Sequence, residues 1–369
     1  MSVPFFRSPW QEPGAADQLA QAWQGVVASG RYVLGQEVAR FEKALGQWLG
    51  GRHVVGVNSG TDALRIALQM LDLQAGDEVV LPAYTFYACF EVVVRAGAVP
   101  VFCDSREGDF LAGATEVAAC LGPRTRAVLA VPLFGDASAM PDIACLCQEQ
   151  KLPLLEDAAQ AVGAWAHGNG GERQMAGTFG DLSAFSFYPT KVLGAVGDAG
   201  ALTGTSPAWM RRSSRLRNHG FGDGQHTEIG FNSRLDELQA AALNLGLAML
   251  PEHLARRAAI ARRYLTDLKN VPGLTLPADA PGHAWNYFVV RHPQRDQLRE
   301  TLASLGIDTQ VYYPRALHQE PAFVQRFGAW PLPRAEAWAA TALALPMYPG
   351  LRDAEVARVI DAVGAACRA

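Results

Sequence analysis

Residues 53–82, HVVGVNSGTDALRIALQMLDLQAGDEVVLP, decide the fold class of this 369-residue chain. They contain a short β-rich run, HVVGV, then a helix-length apolar periodicity from Thr61 to Leu71, and then a second β-rich run, EVVLP. Strands separated by helices of this length are typical of βαβ units, in which helices cover both faces of a parallel sheet. The stretch therefore predicts an α/β protein.

The same alternation continues beyond this stretch, as far as Leu155. Further strands are predicted at 99–103, 126–131 and 152–156, and helices at 86–96, 114–121 and 139–150. A Gly-rich stretch, 179–204, predicts two more strands around a turn. In open parallel sheets ligands bind at the carboxyl ends of the strands. Three polar segments that directly follow strands therefore predict a site at one sheet edge: NSGTD (58–62), PAYTF (82–86) and EDAAQ (156–160).

The second half of the chain predicts a smaller domain. A long helical pattern runs from Ser233 to about Lys269, with Pro251 as a point where it can kink. The Pro- and Gly-rich segment VPGLTLPADAPG that follows is the best linker candidate. Beyond it, WNYFVVR, a helix at about 294–305, DTQVYYP and the amphipathic segment 353–366 predict an α+β unit. We therefore divide the chain into a large domain with an N-terminal helical segment, 1–250, and a small C-terminal domain, 251–369.

Composition excludes several classes of protein. Hydrophobic residues make up 49% of the chain and charged residues 18%, a balance that supports a sizeable core and excludes disorder. The formal net charge is −4, so no basic surface for nucleic acid is expected. Glu91 and Arg95 interrupt the longest apolar region, 79–103, and the N-terminus lacks the apolar core of a signal peptide. We expect a cytoplasmic protein with no membrane span, no metal site and six reduced cysteines.

Lys191 is the most informative residue for function. It lies in AFSFYPTKVLGAVGDAGAL (184–202), where Pro189 precedes it and several glycines follow. Burial among small apolar residues lowers the pKa of a lysine and makes its amine nucleophilic, as an imine-forming lysine requires. The alternative, a solvated lysine in a surface turn, is the commoner situation for a lone lysine, and the neighbouring motifs must decide between the two.

Asp157 and Gln160 follow an apolar strand directly. A buried carboxylate at the carboxyl end of a strand can keep a pyridinium nitrogen protonated by a charge-assisted hydrogen bond. That protonation is what makes pyridoxal 5′-phosphate (PLP) an electron sink. The alternative is that Asp157 caps the next helix. The neighbouring Glu156 is expected to be structural.

The turn NSGTDAL (58–64) leads from a strand into a helix that starts near Gly60 and Thr61. Backbone N–H groups and the positive end of the helix dipole can accept a phosphate there, although a capped helix start beside glycine is common without a ligand. Ser186, five residues before Lys191, would place a hydroxyl near the same phosphate. Phe86 can stack on a planar ring, or it can be an ordinary core aromatic.

Together these motifs resemble the DegT/DnrJ/EryC1/StrS family of PLP-dependent sugar aminotransferases, a branch of the fold-type-I aspartate aminotransferase superfamily. The resemblance covers essentially the whole chain. Its motifs are SGRYVLGQEVARFE, NSGTDAL, GDEVVLPAYTF, EDAAQAVGA, SFYPTKVLGAVGDAGAL, RLRNHG, GFNSRLDELQAAAL and ALPMYPGL. The resemblance implies a large domain with a mostly parallel, seven-stranded sheet between helices, and a smaller α+β C-terminal domain.

Carried over to this sequence, the resemblance implies roles for the residues around the cofactor ring. Lys191 would form the imine with PLP, and Asp157 would pair with the ring nitrogen. Gln160 would contact the side of the ring that carries the hydroxyl group. Phe86 and Ala159 would sandwich the ring.

The resemblance also implies a phosphate site and a dimer. The phosphate would be held by Gly60, Thr61, Asp62 and Ser186. Asn232 would reach the phosphate of the neighbouring subunit's cofactor, which implies a homodimer with shared active sites. Arg234 would serve local structure or bind an anionic part of the substrate.

The reaction implied by the resemblance is a ping-pong transamination. Glutamate or glutamine would donate the amino group, and a keto sugar linked to a nucleoside diphosphate would accept it. Lys191 would act as general base and then general acid in the 1,3-proton shift. Members of the family that carry histidine at this position perform dehydration, so a lysine favours transamination.

The position of the new amine is also implied by the resemblance. The pattern SFYPTKxLGxxGDxG is similar to that of enzymes acting at C3 of the sugar, whereas members that aminate C4 more often carry histidine where Tyr188 stands. We therefore expect amination at C3, with C4 as the alternative. Tyr188 would face the substrate or pack beside the cofactor loop. Cationic candidates for the substrate diphosphate are Arg217, His219, Arg315 and His318.

One residue departs from the family pattern. Members of the C3 type commonly read I-H-Y-P in the small domain, whereas this chain reads Val311-Tyr312-Tyr313-Pro314. A phenol can form hydrogen bonds but does not titrate near neutral pH as an imidazole does. Tyr312 therefore implies a difference in the sugar or in how it is protonated.

Three alternative functions are compatible with parts of this pattern. A cyclitol or amino-shikimate type of aminotransferase would use the same scaffold on a substrate without a nucleotide. A PLP-binding regulator would need a DNA-binding domain, for which we see neither spare length nor a basic patch. A purely structural scaffold would bind no cofactor.

Overall fold

The computed structural model describes residues 2–368. The strands are β1 (His53–Val57), β2 (Glu78–Pro82), β3 (Val99–Cys103), β4 (Thr125–Ala130), β5 (Leu154–Asp157), β6 (Trp165–His167), β7 (Arg173–Met175), β8 (Leu182–Ser186), β9 (Gly200–Gly204), β10 (Phe221–Gly222), β11 (Gln225–His226), β12 (Phe288–Arg291) and β13 (Ala342–Leu345). The helices are α1 (Ala15–Ser29), α2 (Gln36–Trp48), α3 (Gly60–Gln69), α4 (Ala88–Arg95), α5 (Ala114–Ala118), α6 (Met140–Gln150), α7 (Pro207–Leu216), α8 (Glu237–Asp267), α9 (Arg295–Ser304), α10 (Pro321–Phe327), α11 (Pro333–Thr341) and α12 (Asp353–Ala366).

Seven strands form the central sheet in the order β1-β9-β8-β5-β4-β2-β3. Strand β9 runs antiparallel to both of its neighbours, and the other adjacent pairs are parallel. The proline at 100 is tolerated because β3 is an edge strand, where a missing N–H leaves no inner ladder bond unmade. The parallel strands bring their carboxyl ends to one edge, as the predicted α/β architecture requires.

Most predicted elements of the first half of the chain are present with bounds within a few residues. Strands β1, β2 and β3 have the predicted bounds, and β8 and β9 are the two strands expected around the Gly-rich turn. Helix α8 continues through Pro251 without a break. The segment DTQVYYP forms no strand of its own and contributes a single bridge between Gln310 and Ala344 of β13.

Two main apolar cores hold the chain together. The larger lies around the central sheet, and the second contains Ile260 and Tyr264 of α8, Phe288 of β12 and Val359 of α12. Val3 also lies in this second core, where it pairs with residues beside Ile307. The boundary at residue 250 falls inside α8, and the division into two domains stays a prediction.

Within residues 2–368, no helix combines the length and the apolarity needed to cross a bilayer.

Candidate active site

A cavity of about 380 Å³ opens at the carboxyl edge of the central sheet. This volume lies within the range of small-molecule sites. Loops after β1, β2, β5 and β8 supply most of its wall, and the C-terminal part of the chain closes it. The lining residues are Ser59, Gly60, Thr61, Leu64, Phe86, Ala88, Asp157, Ala159, Gln160, Ser186, Tyr188, Thr190, Lys191, Asp198, Tyr287, Tyr312 and Tyr313.

Lys191 lies half-buried in a tight loop after β8. Its N–H donates to the carbonyl of Tyr188 at 2.9 Å. Gly194 packs directly on Pro189, where an added Cβ would lie 2.4 Å from the proline carbonyl oxygen. Only glycine fits at 194, so this contact gives the loop its shape. The loop thereby places Lys191 in the cavity wall.

Both neighbours of Lys191 are tied to a segment almost a hundred residues away. The hydroxyl of Thr190 lies 3.1 Å from that of Tyr287, and the N–H of Val192 donates to the Asn286 side-chain oxygen at 3.2 Å. Asn286 is fully buried. Arg257 donates to the carbonyl of Asn286 and so fixes the same segment from α8. The loop that carries Lys191 is therefore held on both sides.

Asp157, at the end of β5, is buried and faces the cavity. One carboxylate oxygen accepts the N–H of Ala159 at 3.1 Å, and the other accepts the thiol of Cys89 at 3.0 Å. Burial raises the pKa of Asp157, while these bonds and the charge of Lys191 oppose the rise. The described chain forms turns directly after β5 and no helix begins there, so the structure does not support the alternative of a helix cap.

Gln160 links the sheet to the C-terminal part of the chain. Its side-chain oxygen accepts the N–H of Phe134 at 2.9 Å, and its amide donates to the phenol oxygen of Tyr313 at 2.8 Å. Burial raises the pKa of Tyr313 well above its ordinary value, so this phenol stays protonated. Since its oxygen already accepts from Gln160, the Tyr313 proton is available as a donor.

The N-terminus of α3 forms an anion cradle. The Ser59 hydroxyl caps the helix by accepting the N–H of Asp62 at 3.2 Å. Gly60 lies so close to β8 that an added Cβ would be 2.8 Å from the Cβ of Ser186. This close approach brings the hydroxyls of Thr61 and Ser186 and the first N–H groups of the helix to one place. The donor set fits the phosphate of PLP.

Aromatic rings form the rim of the cavity. Phe86 and Tyr188 are 51% and 53% exposed, so neither is a core residue. The Phe86 ring centroid lies 5.9 Å from that of Tyr313. Tyr287 and Tyr312 face each other with centroids 4.4 Å apart. Exposed aromatic faces of this kind can stack on a planar ring or on the apolar face of a sugar.

The described chain does not bring every predicted residue to this cavity. Asp62, Asn232, His219, Arg234 and Arg315 lie outside its wall. Asp62 donates its backbone N–H to the helix cap, and Arg234 donates to the side chain of Asn218 at 3.0 Å. Arg315 and His219 are exposed. Their roles stay predictions.

Arg217 and His318 are both buried and already paired. Arg217 binds the carboxylate of Glu42 and donates to the carbonyl of Gly56. His318 lies 2.9 Å from the carboxylate of Glu336. A buried side chain already paired with a carboxylate is costly to free, so neither residue is available to a diphosphate in this arrangement.

Four residues with ionisable side chains at this candidate site were not predicted from the sequence. Tyr287 and Tyr313 line the cavity, Asp198 stands in its wall, and Cys89 holds Asp157. Tyr287 lies in a run that reads only as a strand, WNYFVVR. For Tyr313 the sequence offered only an indirect indication, since it is the neighbour of the predicted residue Tyr312.

A larger and more open groove of about 670 Å³ lies elsewhere, near Cys145, Lys151 and Trp209. It borders Leu154, at the amino end of β5. Ligands of parallel sheets bind at the opposite edge, and the charged cluster of Lys191 and Asp157 is there too. The smaller cavity is therefore the candidate active site.

Comparison with known proteins places these features in context. A model of the DegT/DnrJ/EryC1/StrS aminotransferase family matches residues 14–364. The chain is 40% identical over 370 residues to the dTDP-3-amino-3,4,6-trideoxy-alpha-D-glucose transaminase of Streptomyces venezuelae, covering 98% of this chain and 95% of that protein.

Solved structures share the fold. The crystal structure of S. venezuelae DesV in complex with a ketimine intermediate superposes with a TM-score of 0.91, at 40% identity and with 100% of both chains covered. The structure of NtdA from Bacillus subtilis with bound cofactor PMP also gives a TM-score of 0.91, at 28% identity, covering 100% of this chain and 86% of that one. The predicted fold class is thus confirmed.

Proposed function

Because this chain belongs to the DegT/DnrJ/EryC1/StrS aminotransferase family and is a PLP-dependent sugar aminotransferase, we propose that it aminates C3 of a keto deoxysugar linked to a nucleoside diphosphate. One observation carries the proposal. Lys191 and Asp157 line the same cavity, beside the N-terminus of α3. A nucleophilic amine, a buried carboxylate and an anion cradle are the three groups that hold PLP.

Each residue has a defined task in this proposal. When bound, PLP supplies an electron sink and a carrier for the amino group. The Nζ atom of Lys191 would hold the cofactor and would carry the proton that moves when the amino group is transferred. The Asp157 carboxylate accepts a hydrogen bond from the ring nitrogen. The hydroxyls of Thr61 and Ser186 and the N–H of Gly60 bind the phosphate.

The remaining cavity residues orient the cofactor and the substrate and enclose them. Phe86 and Ala159 would contact the two faces of the ring, and Gln160 would lie on the side of its hydroxyl group. The Tyr313 phenol can donate its proton to a ligand in the cavity, since its oxygen accepts from Gln160. Asp62 supports the cradle through its backbone N–H, which completes the cap of α3.

The choice of C3 rests on the motif around Tyr188 and on likeness to the named 3-amino sugar transaminase. Tyr188 is half-exposed in the cavity wall, where a substrate sugar would contact it. The aromatic rim can also stack on the base of a nucleotide sugar. Glutamate or glutamine is the proposed amino donor, and the cytoplasm is the proposed location.

We also propose that a homodimer completes the site. Among the described residues that line the cavity, Lys191 is the single cation, whereas Asp157 and Asp198 are acids. A cofactor phosphate and a substrate diphosphate need more positive charge than one chain offers. Arg234 of a second copy is the proposed source of that charge, and Asn232 of the same copy would donate a hydrogen bond to the cofactor phosphate; this chain directs neither residue into its own cavity.

A half-reaction panel tests the proposal. Holoenzyme is first converted to its amino form with glutamate or glutamine, and then mixed with dTDP- or UDP-linked 3-keto and 4-keto sugars or with a keto-inositol. Absorbance follows loss of the amino form, and mass spectrometry and NMR locate the new amine. We expect kcat/KM for the 3-keto nucleotide sugars to be at least ~100-fold higher than for the 4-keto sugars or the keto-inositol.

Other outcomes are equally clear. Exclusive turnover of a 4-keto sugar would overturn the assignment to C3. Turnover of the keto-inositol alone would favour the cyclitol type of aminotransferase instead.

A further inference from the structure

The thiol of Cys89 lies directly against the carboxylate of Asp157. Cys89 is the second residue of α4 and is fully buried. Its Sγ donates to the Oδ2 of Asp157 at 3.0 Å, while the Oδ1 accepts the N–H of Ala159 at 3.1 Å. Each oxygen of the carboxylate therefore has one protein donor and keeps further lone pairs for a ligand.

The direction of this hydrogen bond follows from the chemistry of the two groups. Burial and the adjacent Asp157 charge raise the pKa of Cys89 well above its ordinary value, so the sulfur keeps its proton. An ionised carboxylate has no proton to give. Cys89 is therefore the donor and Asp157 the acceptor, and the bond stabilises the ionised form of Asp157.

We propose that Cys89 is a positioning residue that sets where the proton shared between Asp157 and the cofactor ring nitrogen resides. By holding Oδ2, the thiol fixes the rotation of the carboxylate and lowers its basicity, so the proton stays on the nitrogen. The inference rests on the proposed role of Asp157 as partner of that nitrogen.

Several groups around Asp157 affect its carboxylate. Burial raises the pKa of Asp157, and the thiol, the Ala159 N–H and the charge of Lys191 oppose the rise. Tyr313 also lies close enough for its own titration to be affected by Asp157. Of these groups, Cys89 is the one that bonds Asp157 without lining the cavity or belonging to its loop.

The chain offers a matched control. Cys103 is also fully buried in the large core, but no carboxylate bond to its thiol is present among the described residues. If both buried thiols only packed as small apolar side chains, substitution of Cys89 and of Cys103 would have the same effect on the cofactor.

The test loads wild-type and variant holoenzymes with PLP labelled with ¹⁵N in the ring and measures the nitrogen chemical shift. In Cys89→Ala and in Cys89→Val, which fills the volume, we expect the shift to move toward that of an unprotonated pyridine. The protonated-to-unprotonated ratio should change about tenfold, since a hydrogen bond to a charged group is lost. We expect kcat to fall with KM almost unchanged.

Cys89→Ser should restore both readouts, because a hydroxyl is a stronger donor than a thiol. Cys103→Ala should leave the nitrogen shift as in the wild type. An unchanged shift in both Cys89→Ala and Cys89→Val, or a serine variant that behaves like alanine, would overturn the inference while leaving the proposed function intact. An unprotonated nitrogen in the wild-type holoenzyme would instead contradict the role of Asp157 and the inference with it.

Discussion

Strand β5 ends in two adjacent acids, Glu156 and Asp157, that face opposite sides of the sheet. Both are buried, and burial raises the pKa of each. Glu156 accepts four hydrogen bonds, from the N–H groups of Gly177, Phe179 and Gly180 and from the hydroxyl of Ser183. Asp157 accepts two and opens onto the cavity.

The difference shows how one strand serves two purposes. All the hydrogen bonds that the Glu156 carboxylate can accept are made within the protein, so Glu156 stabilises the loop before β8. The protein leaves Asp157 with unused lone pairs at the point where a ligand enters. We call the side with Asp157, Ser186 and Lys191 the pocket side, and the side with Glu156 and Ser183 the packed side. Substitutions on the pocket side should cost activity, and those on the packed side should cost stability.

The largest effect is expected at Lys191. Lys191→Ala removes the amine that holds the cofactor and moves the proton, so turnover should fall by at least ~10⁴-fold. The visible absorption of the cofactor bound through Lys191 should also disappear. Thermal unfolding should change little, because the side chain is only half-buried. Lys43→Ala, at an exposed position on α2, is the control; wild-type turnover in the Lys191 variant would contradict the assignment.

Asp157→Asn should have the next largest effect. The amide keeps the shape of the side chain but loses the charge that stabilises a protonated ring nitrogen. We expect kcat to fall ~10²–10³-fold. Steady-state kinetics with the preferred keto sugar measures this loss. Asp198→Asn, another carboxylate in the same cavity wall, should cost much less, and equal losses in the two variants would break the distinction drawn for Asp157.

Glu156→Gln should lower stability rather than activity. Its NH₂ group would face backbone N–H donors that the carboxylate now satisfies, leaving them unpaired in the core. We expect a loss of about 1–3 kcal/mol in the free energy of unfolding, measured in urea. The kcat of the folded enzyme should stay within a few-fold of the wild type. Glu107→Gln, at an exposed position, should change neither quantity; a Glu156 variant with full stability and lost activity would contradict the comparison.

The smallest effect is expected at Tyr312. Burial raises the pKa of Tyr312, so its phenol keeps its proton near neutral pH. Tyr312→His should introduce an inflection near pH 6.5 in the profile of kcat/KM, with a change of only a few-fold at its optimum. A profile that matches the wild type would show that residue 312 does not contact the substrate.

The parts of the site that depend on residues close together in the sequence were predictable. Lys191, Asp157 and the start of α3 each follow a recognisable strand, and parallel topology brings such ends together. The pairing of distant segments was not predictable. Tyr313 reaches Gln160 across 153 positions, and Cys89 reaches Asp157 across 68.

The same limit explains why the sequence did not show which cationic candidates are already paired. The sequence identifies Arg217 as a charge near a motif, but its partner Glu42 lies 175 positions earlier in the chain. Only the tertiary structure shows that this charge is already neutralised. The N-cap alternative for Asp157 was likewise open until the chain after β5 was seen to form turns rather than a helix.

A crystal structure of the holoenzyme tests the assignment of the pocket side most directly. We expect PLP bound to Lys191, its ring nitrogen on Asp157, and its phosphate at Gly60, Thr61 and Ser186. A cofactor seated elsewhere, or one whose ring nitrogen does not meet Asp157, would contradict it.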